Sequence, residues 1–249
     1  MPISENIARI RERIGAAARR AGRSEKDVSL MAVSKTFPAE AIREAYAAGA
    51  RIFGENKVQE FTGKAAGLVE LHDATWHMIG HLQSNKAGKA VELFTAIDSL
   101  DSLRLAEKLN AAAAHVGKKL PVLIEINVGG EQAKSGIGPD TPELEQLLQS
   151  THKLSNLEIR GLMTVPPFAE NPEDARPYFR QLRELRDRIA VRRIPSVDTD
   201  TLSMGMSHDF EVAIEEGSTC VRIGTAIFGE RNYTSQTRIA SFSLSPLKI

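Results

Sequence analysis

The sequence predicts a single α/β domain in which eight parallel strands close into a (β/α)8 TIM barrel, with an extra helix before the first strand. Apolar strand-like segments alternate with amphipathic helical segments along most of the chain, as such a barrel requires. The length of 249 residues is close to that of a typical barrel. Because no linker or shift in composition divides the chain, residues 1–249 are expected to form one domain. An open, doubly wound sheet is the alternative.

The first predicted unit sets the pattern for the rest of the chain. Isoleucines and alanines recur at helical spacing over 4–21, which predicts a leading helix. The apolar run V-S-L-M-A-V-S at 28–34 predicts a strand buried on both faces, and Lys35 follows it directly. Further strands are predicted at 50–54, 75–80, 94–98, 120–128, 157–164, 201–204 and 218–228. Helices are predicted at 38–48, 55–71, from about 84, from residue 99 or 101 to 114, and at 141–151, 172–190, 209–216 and in the tail 234–249.

Composition restricts the possible partners. The 32 basic residues balance the 32 acidic residues, so no global field would hold nucleic acid or an anionic membrane. A single cysteine, Cys220, excludes an internal disulfide, and no cysteine–histidine cluster has the spacing of a zinc site. The first residues lack the apolar core of a signal peptide, and no apolar stretch reaches the roughly 20 residues that span a bilayer. We therefore expect a cytoplasmic protein without bound metal.

Polar residues follow the predicted strands where a barrel carries its ligand site. Lys35 follows the first strand and Asn56 the second, while Lys134 lies in a glycine-rich loop after the fifth. The last two units, S-M-G-M-S-H-D and V-R-I-G-T-A-I-F-G, place small residues and hydroxyls where barrels commonly bind phosphate. The hydroxyls could instead only cap helices and turns.

A lysine and a phosphate cup at one end of a barrel suggest a phosphorylated aldehyde, and pyridoxal phosphate fits that description. Its aldehyde condenses with a neutral lysine amine, which an enclosed barrel mouth would favour at Lys35. Arg222 could reach the pyridine nitrogen, although a buried ion pair inside the barrel would explain it equally well. A barrel that binds another phosphorylated metabolite is a further alternative.

Five segments closely resemble the pyridoxal phosphate homeostasis protein family, whose fold is that of the alanine racemase N-terminal domain. They are A-V-S-K-T (32–36), F-G-E-N-K-V-Q-E (53–60), H-M-I-G-H-L-Q-S-N-K (77–86), L-S-M-G-M-S-H-D (202–209) and V-R-I-G-T-A-I-F-G (221–229). The resemblance implies that Lys35 carries the cofactor as an internal aldimine and that Arg222 faces the pyridine nitrogen. The other cofactor-binding residues that it implies are Asn56, Ser203, Met204, Ser207, Gly224 and Thr225.

The resemblance also implies a protein that carries and buffers pyridoxal phosphate and does little or no catalysis, with pyridoxal-phosphate-dependent apoenzymes as possible acceptors. A weakly active amino-acid racemase is the alternative. Related racemases use a tyrosine from a second domain as the other base, and the chain ends about twenty residues after its last predicted strand. Tyr46, Tyr178 and Tyr233 are predicted on outer helices or in the tail, so no catalytic residue is assigned. Because related racemases dimerise through the second domain, we expect a monomer.

Overall fold

Eight parallel strands follow one another in chain order around a closed barrel, as predicted. The computed structural model describes residues 1–131 and 135–230. Each strand pairs with the next, and the last pairs with the first. The strands are β1 Ser29–Val33, β2 Ile52–Glu55, β3 Thr75–Met78, β4 Ala96–Leu100, β5 Leu120–Glu125, β6 Leu157–Met163, β7 Val197–Ser203 and β8 Cys220–Ile223.

A helix precedes the barrel and a helix follows every strand. The helices are α1 Ile3–Arg20, α2 Ala39–Ala47, α3 Val58–Ala65, α4 Ala87–Leu93, α5 Leu103–His115, α6 Pro142–Ser150, α7 Arg176–Val191, α8 Phe210–Glu215 and α9 Thr225–Phe228. The main hydrophobic core lies between the outer face of the barrel and the apolar faces of these helices. Because all eight strands are parallel, their carboxyl ends lie together at one end of the barrel, its mouth.

The largest difference from the sequence-based prediction lies at β8. The predicted strand at 218–228 contains only four strand residues, and its second half forms α9. Gly224 leaves extended geometry, with φ of −110° and ψ of −81°, and the chain turns into a helix there. The β-branched residues after Gly224 suggested a continuous strand, whereas the turn brings their backbone across the barrel mouth.

Smaller differences have local causes. Ser102, rather than Ser99 or Asp101, caps α5 by accepting a hydrogen bond from the Leu105 N–H, because β4 continues to Leu100. β7 begins four residues before the predicted strand, in a polar segment that lacks the apolar pattern of a buried strand. The predicted tail helix lies outside the described residues.

The leading helix α1 supports the end of the chain that follows β8. The Asn6 side-chain amide donates to the Ile227 carbonyl at 2.9 Å, which ties α1 to α9. Arg13 forms an ion pair with Glu211 on α8 at 3.1 Å. The extra helix thus holds α8 and α9 against the barrel.

Within the described residues, none of the helices combines the length and the apolar character that crossing a membrane would require.

Candidate functional site

Lys35 lies in the turn that leaves β1 at the carboxyl end of the barrel. It is half-buried, between the fully buried Ser34 and the exposed Thr36. Thr36 has a φ of 68°, in the left-handed region that a β-branched residue rarely adopts. Such a conformation persists only where surrounding contacts impose it. The position of the lysine is therefore set by the packing of this turn.

A buried ion pair imposes the conformation of the Lys35 turn. The Lys64 ammonium on α3 lies 2.8 Å from Glu55 Oε1 and 3.0 Å from Glu60 Oε1. It also donates to the carbonyls of Ser34 and Phe37, at 3.2 and 3.3 Å, on either side of the turn. Lys64 thus fastens both ends of the segment that presents Lys35.

The two glutamates of this network complete the turn. Glu55 is completely buried, so burial raises its pKa, while Lys64 and the Ser34 hydroxyl, which donates at 2.7 Å, oppose that rise. Glu60 accepts a hydrogen bond from the Thr36 N–H. The strained residue is thereby held by a carboxylate that Lys64 itself positions.

Arg222 lies in the barrel interior, one strand from Lys35, and is only 3% exposed. Its guanidinium donates to the carbonyl and hydroxyl oxygens of Ser203, at 2.6 and 2.8 Å, and to the Thr164 carbonyl at 2.7 Å. Burial lowers the pKa of this arginine. These bonds fix the side chain through two neighbouring strand ends, so Arg222 is a rigid donor. No carboxylate among the described residues forms a salt bridge with it, which disfavours the ion-pair alternative.

The loops after β7 and β8 form a cradle of small polar groups beside the Lys35 turn. Gly224 directly follows β8, which pairs with β1 from Ser29 to Ala32. The Ser207 hydroxyl accepts from the Ala226 N–H at 3.3 Å and links the two loops. The N–H groups of Gly224 and Thr225 have no hydrogen-bond acceptor among residues 1–131 and 135–230. This arrangement offers an anion two backbone donors and a hydroxyl.

Two glycines in the loops after β7 and β8 differ in their surroundings. Gly224 leaves the backbone in ordinary contact with Val33, since an added Cβ would lie 3.5 Å from the Val33 carbonyl oxygen. Gly205 has a φ of 94°, and a Cβ there would lie 2.6 Å from that of Ala213 on α8. Gly205 is therefore required for helix packing rather than for the approach of a ligand.

Asn56 is placed on the same mouth by close packing of the backbone. It follows β2 and is half-buried. Gly80, after β3, touches it so closely that an added Cβ would lie 2.5 Å from the Asn56 carbonyl oxygen. Only glycine fits at position 80 without displacing Asn56.

The remaining predicted residues differ in their burial and contacts. Ser203 is fully buried and holds Arg222, and so contributes through the arginine. Met204 packs in the outer core, its N–H donates to Cys220 and its carbonyl accepts from Ser218. These contacts support the end of β7. Lys134 and Tyr233 lie outside the described residues.

Glu125, a buried acidic residue at the end of β5, is not among the residues predicted from the sequence. Leu123 is buried but lies apart from the outer core that contains Val122 and Ile124, so it faces the barrel interior, and Glu125, two positions further on, faces the same side at the carboxyl end of β5. Burial, followed by the charge of Asp101, raises the pKa of Glu125 to about 7. An acidic residue that ends the apolar run L-P-V-L-I-E was the available signal. His81, also at this side, lies with Nδ1 2.8 Å from Asp101 Oδ2.

Comparison with known proteins shows the family to which the chain belongs. The model of the alanine racemase N-terminal domain matches residues 6–232. The chain is 50% identical to a pyridoxal phosphate homeostasis protein from Aquifex aeolicus, over 94% of this chain and 100% of that protein. It is 47% identical to the protein of that name from Pseudomonas aeruginosa, over 93% of this chain and 96% of that one. The chain thus belongs to the alanine racemase N-terminal domain family, whose barrel it shares. Within that family it belongs to the pyridoxal phosphate homeostasis proteins.

Solved structures show the same relationship. The structure of PipY from Synechococcus elongatus with pyridoxal phosphate bound is similar, with a TM-score of 0.79 and 39% identity over 91% of this chain and 100% of that chain. Alanine racemase from Streptomyces coelicolor shares the fold at a TM-score of 0.67 and 21% identity, over 88% of this chain and 57% of the racemase chain. The barrel is therefore common to both groups.

Proposed function

We propose that this protein binds pyridoxal 5'-phosphate and carries and buffers it, with Lys35 as the point of covalent attachment. One observation carries the proposal: the turn that presents Lys35 adjoins the cradle of Ser207, Gly224 and Thr225 across the β1–β8 pair. A lysine amine beside open anion donors suits a ligand with an aldehyde and a phosphate. The pyridoxal phosphate bound to PipY, which is 39% identical, supports the same ligand.

The roles of the residues follow from their contacts. Ser207, Gly224 and Thr225 would hold the phosphate through one hydroxyl and two N–H groups. Arg222 would face the pyridine nitrogen as a fixed donor, held by Ser203. A guanidinium donates to an unprotonated nitrogen, so the ring remains a weaker electron sink than it would beside an aspartate.

Asn56 would line the pocket next to Lys35. The backbone of the β2–α3 turn holds Asn56 in place through its contact with Gly80. When bound, pyridoxal phosphate supplies an electrophilic carbon at its aldehyde, and this chain supplies the amine and the anion site. Met204, which the resemblance also implies as a cofactor contact, packs in the core at the end of β7.

A carrier role fits the acid–base groups better than amino-acid racemisation does. Racemisation needs a base on each face of the bound amino acid. The Tyr46 hydroxyl donates a hydrogen bond to Asp73 on the outer surface, and Tyr178 lies on the outer helix α7. The observation that favours weak racemase-like catalysis is Glu125, whose carboxyl has a pKa of about 7 near the mouth. Steady turnover of D- or L-alanine by the loaded protein would establish catalysis.

Covalent attachment is tested by loading the purified protein with pyridoxal phosphate, reducing it with borohydride and mapping the peptides. We expect a visible absorbance band before reduction and a modified peptide containing Lys35 after it. Lys35→Ala should abolish the band at equimolar cofactor, whereas Lys89→Ala, on the outer helix α4, should not change it. A colourless wild-type protein that binds another phosphorylated metabolite would contradict the proposal.

The cofactor would pass from this carrier to pyridoxal-phosphate-dependent apoenzymes. We further propose that residues 1–249 form one domain and that the protein is a monomer. Sedimentation velocity at micromolar concentration measures the mass directly, and a dimer would contradict the monomer.

A further inference from the structure

Glu125 is a buried carboxylate that the proposed cofactor contacts do not use. Its exposure is 8%, and its Oε2 atom has no hydrogen-bond partner within the part of the chain that the structure describes. A buried carboxylate oxygen without a donor is costly. Because the side chain points into the barrel near the mouth, a donor group of a ligand there would remove that cost.

The charges around Glu125 define the kind of ligand. Among the described residues, Asp101, His81 and Arg222 act on it electrostatically. The Arg222 guanidinium donates hydrogen bonds to Ser203 and Thr164 rather than to Glu125. His81 is bound to Asp101 through Nδ1. Two carboxylates therefore face this side of the mouth, and an anionic ligand group would be repelled there.

We propose that Glu125 and Asp101 bind the primary ammonium group of an incoming alkylamine, and that Glu125 accepts its proton. An ammonium group supplies a positive charge and three N–H donors, which complement the open oxygen of Glu125. This inference rests on the proposed carrier function, because the amine would be the acceptor of the aldehyde. The acceptor class is a lysine side chain, since an α-amino acid would also bring a carboxylate close to two like charges.

The proton transfer balances without another reactant. The ammonium loses one proton and becomes a neutral amine with a free electron pair, and the Glu125 carboxylate gains that proton and becomes a carboxylic acid. Burial favours this exchange, because two charged groups become two neutral ones. Only the neutral amine is a nucleophile toward an aldehyde-derived carbon. Glu125 would thus activate the acceptor on the side of the mouth opposite the phosphate cradle.

The test titrates the cofactor-free protein with n-butylammonium chloride at pH 8 and pH 6, at constant ionic strength, by NMR. We expect binding at pH 8 that weakens about tenfold at pH 6, as a carboxyl with a pKa near 7 becomes protonated. Glu125→Gln should weaken binding at least tenfold at pH 8 and remove the pH dependence. Asp101→Asn should weaken it severalfold, and Glu92→Gln on the outer helix α4 should have no effect.

Three results would overturn the inference. They are butylammonium binding that Glu125→Gln leaves unchanged, binding that is the same at both pH values, and alanine binding as tightly as butylammonium. Loading each variant with pyridoxal phosphate separates this inference from the carrier function. If wild-type protein attaches the cofactor to Lys35 while amine binding ignores Glu125, the carrier function stands and the ammonium site is wrong. If no cofactor attaches to Lys35, the carrier function itself is wrong.

Discussion

Replacing Lys64 with methionine tests how the Lys35 turn is held. Methionine keeps most of the unbranched side chain but removes the cation that lies 2.8 Å from Glu55. The side chain of Glu55 is completely buried and that of Lys64 is 13% exposed, so little solvent would compensate. Removing one partner of a buried ion pair costs about 3–5 kcal/mol. Because burial already raises the pKa of Glu55, the carboxyl can take up a proton, and we expect the lower end, about 3 kcal/mol at pH 8.

Urea denaturation of the cofactor-free protein measures this loss directly. The destabilisation should be smaller at pH 5, where the unpaired Glu55 becomes protonated in the folded state at little cost. The double variant Lys64→Met/Glu55→Gln should recover most of the lost free energy, because no buried charge is left. Lys89→Met is the matched control, since its pair with Glu92 at 2.9 Å is exposed; we expect less than about 0.5 kcal/mol there. A loss below 1 kcal/mol for Lys64→Met, or no recovery in the double variant, would refute the reasoning.

Three further predictions concern other parts of the mouth. The pKa of Glu125 is about 7 in the folded protein, against an unperturbed value of 4.5. Between these pH values the folded state binds more protons than the unfolded state, so the free energy of unfolding falls as the pH rises through that window. Glu125→Gln should therefore stabilise the protein by about 3 kcal/mol at pH 8 and by little at pH 4.5, measured by urea denaturation. Gly80→Ala should cost about 1–3 kcal/mol and weaken cofactor binding, measured by fluorescence titration, because its Cβ would displace Asn56. Arg222→Leu should cost about 3 kcal/mol or more in the same unfolding assay, because it leaves buried acceptors of Ser203 and Thr164 without a donor.

The barrel was predictable because strand-like and helix-like segments alternate regularly along the sequence. Both faces of each strand are covered, so strands appear as short apolar runs, and glycines and prolines mark the turns between them. β7 is the exception: it carries V-D-T-D-T-L-S, and four of its first five residues are half-buried rather than buried. Because the first part of β7 is only half-buried, it needs few apolar residues, and the hydrophobic pattern therefore did not predict it.

The site was predictable where its chemistry depends on residue type and position along the chain. Lys35 and the cradle follow strand ends, and the order of strands in a barrel brings those ends together. The role of Lys64 could not be predicted in this way. It lies on a helix at a position where most lysines are solvated, and only the packing of α3 against the β1–α2 turn brings its ammonium to Glu55.

The two sides of the mouth differ in a way that orients any ligand. Next to β1, the cradle after β7 and β8 presents N–H and hydroxyl donors, while the ends of β4 and β5 present the carboxyl groups of Asp101 and Glu125. A phosphate group would be stabilised on the first side and repelled on the second, and the opposite would hold for an ammonium group. Arg222, fixed by the uncharged acceptors of Ser203 and Thr164, lies in the interior beneath the mouth, and its charge acts on Glu125 without a direct hydrogen bond. A molecule that carried its anion on the β5 side would lose the cradle and meet two like charges, so this division of charge would favour one orientation.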